Sequence, residues 1–380
     1  MDFSLNEVQL MIKEMVRDFA TNEVAPLTAA LDKSGEFPWD NYYKAAELGI
    51  LGMTLPEELG GTGADMVSYV VAIEELSRAS ASLADSCMLV DMLATLLYRY
   101  GTSQQQDKFI KPLITGKMMG CFAVTEPNAG SDLAGMKTSA VRDGDHWVLN
   151  GTKMFINNAP IADMAIVFAV TDKEKGSRGG VTAFLVENGM PGFSRGKAED
   201  LMGQRSLQVG QLFLEDVRVP RENILGEIGQ GFKMAMSVLD SGRIEIAALA
   251  LGIAQAALDE SLKYARERVQ FGRPIAKFQA IQWKLADMAT GIEAARLLVY
   301  QAASLKDKGK NYTRQAAMAK LFASDIAARA ATEAVQIHGG YGFTKEYTVE
   351  RLYRDVKITQ IYEGTNEIQR MVIARNLLNK

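Results

Sequence analysis

Residues 146–156, HWVLNGTKMFI, decide the fold class, because they interrupt a chain otherwise patterned for helix. β-Branched and aromatic residues crowd into a short run bounded by polar residues and glycine, which is how a strand reads. The texture recurs at 164–170 (MAIVFAV), 181–187 (VTAFLVE) and 211–219 (QLFLEDVRV), so a β domain is expected over residues 117–225. On both sides the period changes. From residue 5 to about 115, Leu5, Val8, Ile12, Met15, Val16 and Phe19 open a run of apolar residues at helical spacing. The turns GEFPWD, LPEELGGTG and YGTS punctuate that region, and a helix over about 66–77 carries Val70, Ile73 and Leu76 on one side. After ENILGEIGQGF three long Ala- and Leu-rich segments run to the end. The expected architecture is α+β: an N-terminal helical domain (1–116), a central β domain (117–225) and a C-terminal domain of four-helix-bundle type (226–380).

Size and composition narrow the function. The chain has 380 residues, more than one typical core, and 48% of them are hydrophobic, as in ordinary globular proteins. Lys and Arg number 42 against 46 Asp and Glu, a net charge of −4 with no block of like charge, so no nucleic-acid partner is expected. Cys87 and Cys121 are the only cysteines, and His146 and His338 the only histidines. That supply excludes a disulfide framework and leaves no metal site to expect. The opening MDFSLNEVQLMIKEMVRDFA is amphipathic and studded with charges, unlike a signal, transit or transmembrane segment. A cytoplasmic protein without membrane insertion is expected. The Ala-rich helices suit close packing against like surfaces, and a homo-oligomer follows.

Dinucleotide, P-loop, hydrolase and zincin fingerprints are absent. Three stretches remain, each with a plain structural reading beside a functional one. CFAVTEPNAGSD (121–132) is a β-turn, or a loop whose Thr125 and Ser131 hydroxyls and free N–H groups hold an anion or a ring edge. RVQFGRPIAKFQAIQ (268–282) leaves Arg268 and Phe271 at a helix end, as a dipole partner or as a grip on a phosphate and a base. QIHGGYGF (336–343) ends a helix with Gly339 and Gly340, as a C-cap or as a point of close backbone approach.

Taken in order, FAVTEPNAGSD, NGTKMFI, LDSGR, ARERVQFGRPIAKFQAIQ, QIHGGYGF and YEGTNEIQ resemble the acyl-CoA dehydrogenase family over essentially the whole chain. The resemblance is closest to its short-chain and bacterial branch. It implies an FAD enzyme that dehydrogenates an acyl-CoA thioester between Cα and Cβ and passes electrons to an electron-transfer flavoprotein. The same site run backwards is an enoyl-CoA reductase, and an acyl-CoA oxidase shares the scaffold. The flavin loop falls on Phe122, Ala123, Val124, Thr125, Glu126, Gly130 and Ser131, with Ser131 also near the CoA phosphates. Phe155, Ile156 and Asn157 lie beside the flavin ring, where the family usually has Trp-Ile-Thr or Trp-Ile-Ser; Phe still covers a ring face and the Asn amide can donate. Arg268, Phe271, Gln279, Gln336, Gly339 and Gly340 match residues that grip the ADP half of FAD held by a neighbouring subunit, which implies a dimer at least and usually a tetramer. Thr365 and Glu367 complete the flavin contacts, while Asp240 and Arg243 of LDSGR match the CoA contacts.

Removing a poorly acidic α-proton requires a carboxylate kept in a water-poor pocket, where its pKa rises toward working pH. Glu363 matches the family's base, Gly364 lets the backbone approach the substrate, and Thr365 or Asn366 caps the next helix. Glu245 is the next residue to consider as base. The family's acyl pocket corresponds to SRASASLADSCMLVDML (77–93), where Ala84, Asp85, Met88 and Leu89 share a helix face. Glutaryl-type members carry an Arg there, so Ala84 argues against a glutaryl substrate. Asp85 either faces a polar seam or hydrogen-bonds a polar acyl substituent.

Overall fold

The structure is a computed structural model that describes residues 4–378. Six helices come first: α1 (Glu7–Phe19), α2 (Ala25–Ser34), α3 (Trp39–Glu47), α4 (Met66–Ala79), α5 (Ala81–Tyr100) and α6 (Ser103–Ile114). Side-chain caps set several of their starts. Asn6 and Thr102 form capping boxes with Gln9 and Gln105, and Thr102 belongs to the YGTS turn. Asp65 caps α4 through Ser68 N, and Ser80 caps α5 through Leu83 N, so one residue separates two buried helices. Val70, Ile73 and Leu76 are fully buried, but so is most of α4, which is a central helix rather than an amphipathic surface one.

Eight strands follow: β1 (Gly120–Ala123), β2 (Ser139–Asp143), β3 (His146–Asn157), β4 (Met164–Val170), β5 (Val181–Glu187), β6 (Phe193–Arg195), β7 (Val209–Pro220) and β8 (Ile224–Leu225). They form one sheet in the order β6-β7-β3-β2-β4-β5-β8, with β1 added parallel to β4. MAIVFAV is continuously apolar because both faces of β4 are covered. Met164, Ile166 and Phe168 join the large core shared with the helices, while Ala165, Val167 and Ala169 join a second core with Trp147, Leu149 and Leu212.

The β3–β7 ladder slips between Lys153 and Ile156. At this bulge Phe155 takes a left-handed conformation, φ 56°, and the residue is 62% exposed.

The chain then returns to helix: α7 (Gly231–Glu267), α8 (Gln279–Asp307), α9 (Thr313–His338), α10 (Thr348–Asp355) and α11 (Asn366–Leu378), with a two-residue hairpin at Val269–Gln270 and Arg273–Pro274 before α8. The 37 residues of α7 make a rod packed on α4, α5, α8 and α9. Gly252 permits the crossing with α4, since a Cβ there would meet Ser77 Oγ at 2.0 Å. Helices α5 and α7 are long and apolar enough to cross a membrane, yet 89% of each apolar window is buried within the protein.

Candidate active site

Glu363 sits in the short segment between α10 and α11, at φ 54°, and Gly364 follows at φ 89°. A non-glycine residue in the left-handed region costs about 1 kcal/mol, so the conformation must be held from outside. Gln369 Nε2 donates to the carbonyls of Glu363 (3.1 Å) and Gly364 (2.8 Å), and Lys320 Nζ donates to Gly364 O (2.9 Å) and to Asn366 Oδ1 (3.0 Å). Asn366 also contacts Ser324 and Asp325, so α9 grips the turn from below. Thr365 Oγ1 accepts from Ile368 N and is the cap of α11; Asn366, the other candidate, is an anchor instead.

The segment aims the carboxylate inward at α7. A Cβ on Gly242 would stand 2.7 Å from Glu363 Oε2, so the glycine of LDSGR makes the space that the acid fills. The Glu363 residue as a whole keeps some exposure, but Oε2 is shielded and has no hydrogen-bond partner. Burial, reinforced by Glu245 and Asp85 and opposed by Arg243 and Lys320, pushes its carboxyl up to about 8. Glu245 is itself buried and pushed up to about 7, chiefly by desolvation against the opposing Lys306. It accepts from Ser241 Oγ at 3.1 Å.

Asp85 on α5 accepts from Asn157 Nδ2 at 2.6 Å. The Tyr362 hydroxyl lies beside it without the geometry of a hydrogen bond, and Asp85 Oδ2 is buried and unpaired. Asn157, expected to donate at the flavin edge, therefore commits one amide hydrogen to α5 and keeps the other. Asp240 and Arg243, expected to reach CoA, pair with each other; Asp240 also accepts from Thr313 Oγ1 (2.7 Å), and Arg243 Nε is buried and unpaired.

The loop of residues 121–132 is fastened by a residue type that composition alone does not flag. Lys153 is fully buried and its ammonium, lowered to about 8 mainly by desolvation, donates to Glu126 Oε1 (2.9 Å) and Val124 O (3.2 Å). Glu126 also accepts from the amides of Lys137 (2.7 Å) and Thr138 (2.8 Å). It therefore faces inward, while Thr125 is partly exposed and Gly130 and Ser131 are exposed, next to the bulge that presents Phe155. Phe122 packs on Phe168 with ring centroids 5.0 Å apart, Val124 and Ile156 are buried, and their side chains serve as the floor of this loop.

Farther along the bundle, Arg268, Gly339 and Gly340 line one groove of about 470 Å³. Sequence reasoning missed two further walls, Tyr264 and Tyr341: His338, inside the 336–340 run, stacks on Tyr264 (4.2 Å) and Arg268 lies over the Tyr341 ring (5.3 Å). Gln279 and Gln336 are exposed nearby in the chain, and Phe271, at φ 52°, is 93% exposed. A Cβ on Gly339 or Gly340 would meet nothing within 4 Å, so these glycines leave open space rather than close packing within the chain.

Of six non-glycine residues with left-handed backbone among the described residues, three are Phe155, Phe271 and Glu363. Two exposed aromatic faces, a hydroxyl-bearing loop and an Arg-lined groove fit a flavin dinucleotide, and the shielded carboxylate fits a base for carbon acids. Sequence models described as the N-terminal, middle and C-terminal domains of acyl-CoA dehydrogenase match residues 6–117, 121–217 and 229–378. The chain belongs to the acyl-CoA dehydrogenase family. It is 49% identical to the short-chain-specific acyl-CoA dehydrogenase of Megasphaera elsdenii, with 100% of both chains covered. It is 48% identical to the caffeyl-CoA reductase–Etf complex subunit CarC of Acetobacterium woodii, with 99% of both covered. The structure of butyryl-CoA dehydrogenase from Megasphaera elsdenii superposes with a TM-score of 0.96 at 49% identity, covering 100% of both chains. Solved relatives include proteins described with FAD and with FADH2.

Proposed function

We propose that this acyl-CoA dehydrogenase uses FAD to convert a short or substituted acyl-CoA thioester to its enoyl-CoA, with Glu363 as the base. The observation that carries the assignment is the Glu363 carboxylate, held by a left-handed turn against Gly242 with Oε2 shielded and unpaired. In its ionised form that oxygen takes the α-proton, and burial makes it basic enough to do so near neutral pH. The Glu363 N–H is the donor assigned to the thioester oxygen, where enolate-like charge develops. Gly364 keeps the backbone free of a side chain on that side. Arg243, paired with Asp240, supplies positive charge beside the base and orients the CoA moiety; Ser131 contributes a hydroxyl from the flavin loop. Phe155, Asn157 and Thr125 would hold the flavin ring region together with Thr365 and Glu367, and Arg268, Phe271, Gln279, Gln336, Gly339 and Gly340 would hold the ADP half of FAD bound by a neighbouring subunit. FAD, when bound, supplies the two-electron acceptor that no side chain provides.

The exposed Phe271, Trp283 and Phe343 suit burial between copies of the chain, and the proposed assembly is a cytoplasmic homotetramer that passes electrons to an electron-transfer flavoprotein. The relative named as a subunit of a caffeyl-CoA reductase–Etf complex supports the partner, and it supports a second reading in which the same site works as an enoyl-CoA reductase. An acyl-CoA oxidase would consume oxygen rapidly with acyl-CoA. The deciding experiment follows flavin bleaching of the purified protein under anaerobic conditions with a panel of CoA esters. Bleaching by at least one ester is expected; none with any ester defeats the proposal.

A further inference from the structure

The side chains clustered beyond Glu363 are not what a plain fatty chain requires. Asp85 and Asp91 of α5 and Glu245 of α7 are 4%, 3% and 7% exposed. Asp91 is satisfied within the fold, accepting from Thr54 N (3.1 Å) and Thr54 Oγ1 (2.7 Å). Glu245 accepts from Ser241 Oγ, and Lys306 of α8 donates to that same hydroxyl while lying within electrostatic reach of both Glu245 and Asp91. Asp85 faces Asn157 of β3 and Tyr362, and no cation stands among its partners.

Unpaired polar atoms converge on this cluster. Asp85 Oδ2, the hydroxyl of Tyr362 beside Asp85, and the hydroxyl of the fully buried Tyr69 beside Asp91 and Glu245 all lack a hydrogen-bond partner. Each such group buried against methylenes is costly, whereas a ligand that donates to them recovers the bonds. Glu363 lies within electrostatic reach of both Asp85 and Glu245, so the cluster adjoins the position assigned to the reacting carbons.

We infer that this pocket selects an acyl chain bearing a hydrogen-bond-donating substituent, an amino or a hydroxyl group, with Asp85 and Glu245 as the specificity residues. A donor placed between them meets two acceptors, Asp85 Oδ2 and the Glu245 carboxylate. A plain aliphatic chain leaves Asp85 Oδ2 unpaired and loses about tenfold to hundredfold in affinity relative to the substituted one. The inference rests on the site's acting on acyl-CoA esters.

The test compares pentanoyl-CoA, γ-hydroxybutyryl-CoA and γ-dimethylaminobutyryl-CoA, chains of similar length, with the FAD-loaded enzyme. Dissociation constants from isothermal titration calorimetry and rates of anaerobic flavin bleaching are both read. At least one substituted ester should bind about tenfold or more tightly than pentanoyl-CoA, and the better of the two assigns the substituent. In Asp85→Ala and Glu245→Gln, checked for retained flavin, that ratio should fall toward one. Equal or tighter binding of pentanoyl-CoA by the wild-type protein overturns the inference even if neither variant folds, and so does an unchanged ratio in a folded variant. A binding preference without bleaching by any ester supports the pocket assignment while defeating the dehydrogenase reading.

Discussion

The Glu363 carboxylate lies against the bare Cα of Gly242, where a methyl group would meet Oε2 at 2.7 Å. Gly242→Ala therefore displaces the proposed base without removing it. Turnover should fall by roughly 10²-fold, the effect of about an ångström of misplacement, while flavin content stays normal. Steady-state rates beside visible flavin absorbance check this, and an undiminished kcat would show that the carboxylate has room to spare.

Glu363→Gln keeps the shape and removes the base. Bound FAD and acyl-CoA affinity should survive, and dehydrogenation should drop roughly 10²- to 10⁴-fold. Substantial remaining turnover would move the base to Glu245.

Because burial first and Glu245 second hold the Glu363 carboxyl up at about 8, the free enzyme gains its ionised base as pH rises through that value. The profile of kcat/KM should climb with pH and level off above it. Glu245→Gln removes a negative neighbour, so the climbing limb should move to lower pH. A limb that stays in place would separate Glu245 from the site electrostatically.

Asp85 binds its proton more tightly in the folded chain, at about 7, than in the unfolded one, near 4. Native protein then holds more protons than unfolded protein across that window, and stability contributed by the neutral acid is lost as pH rises through about 7. Asp85→Asn removes this loss, so the Tm of the ligand-free variant should gain on the wild type between about pH 4 and about pH 7. A constant difference would place the proton elsewhere.

Arg268→Ala removes the guanidinium that lies over Tyr341 in the open groove. Loss of a charged hydrogen bond to phosphate should weaken FAD retention about tenfold or more, read as flavin per chain after gel filtration. Normal retention would take the groove out of the flavin site.

Most of the architecture was legible because it is written in periods. HWVLNGTKMFI and MAIVFAV read as strands since alternate side chains of a sheet meet different layers, and the Ala-rich segments read as helices since one stripe repeats along each rod. Glu363 and Gly364 could be picked out by the resemblance of YEGTNEIQ to the family rather than by local pattern, whereas the Thr365 cap is a short-range structure that the local sequence offered. The bulge that exposes Phe155 could not, since it arises from the slip of β3 against β7, a register set by a partner strand distant in sequence. Gly242 passed unnoticed inside LDSGR, although an unexplained glycine in a helix already asks what approaches it.

The order of residue types thus determined the helix–sheet–helix plan and the family, and it singled out Glu363 as the proposed base. Tertiary structure alone decided what surrounds that acid. Asp85 and Asn157 are 72 residues apart yet bonded at 2.6 Å, and Lys153 is a buried cation fastening the loop of residues 121–132 through Glu126. The physical reason is that burial and pairing are properties of space. A carboxylate's pKa and an unpaired oxygen's cost depend on which groups the packing of α5, α7, β3 and the 361–364 segment brings within a few ångströms, and linear sequence does not carry those distances.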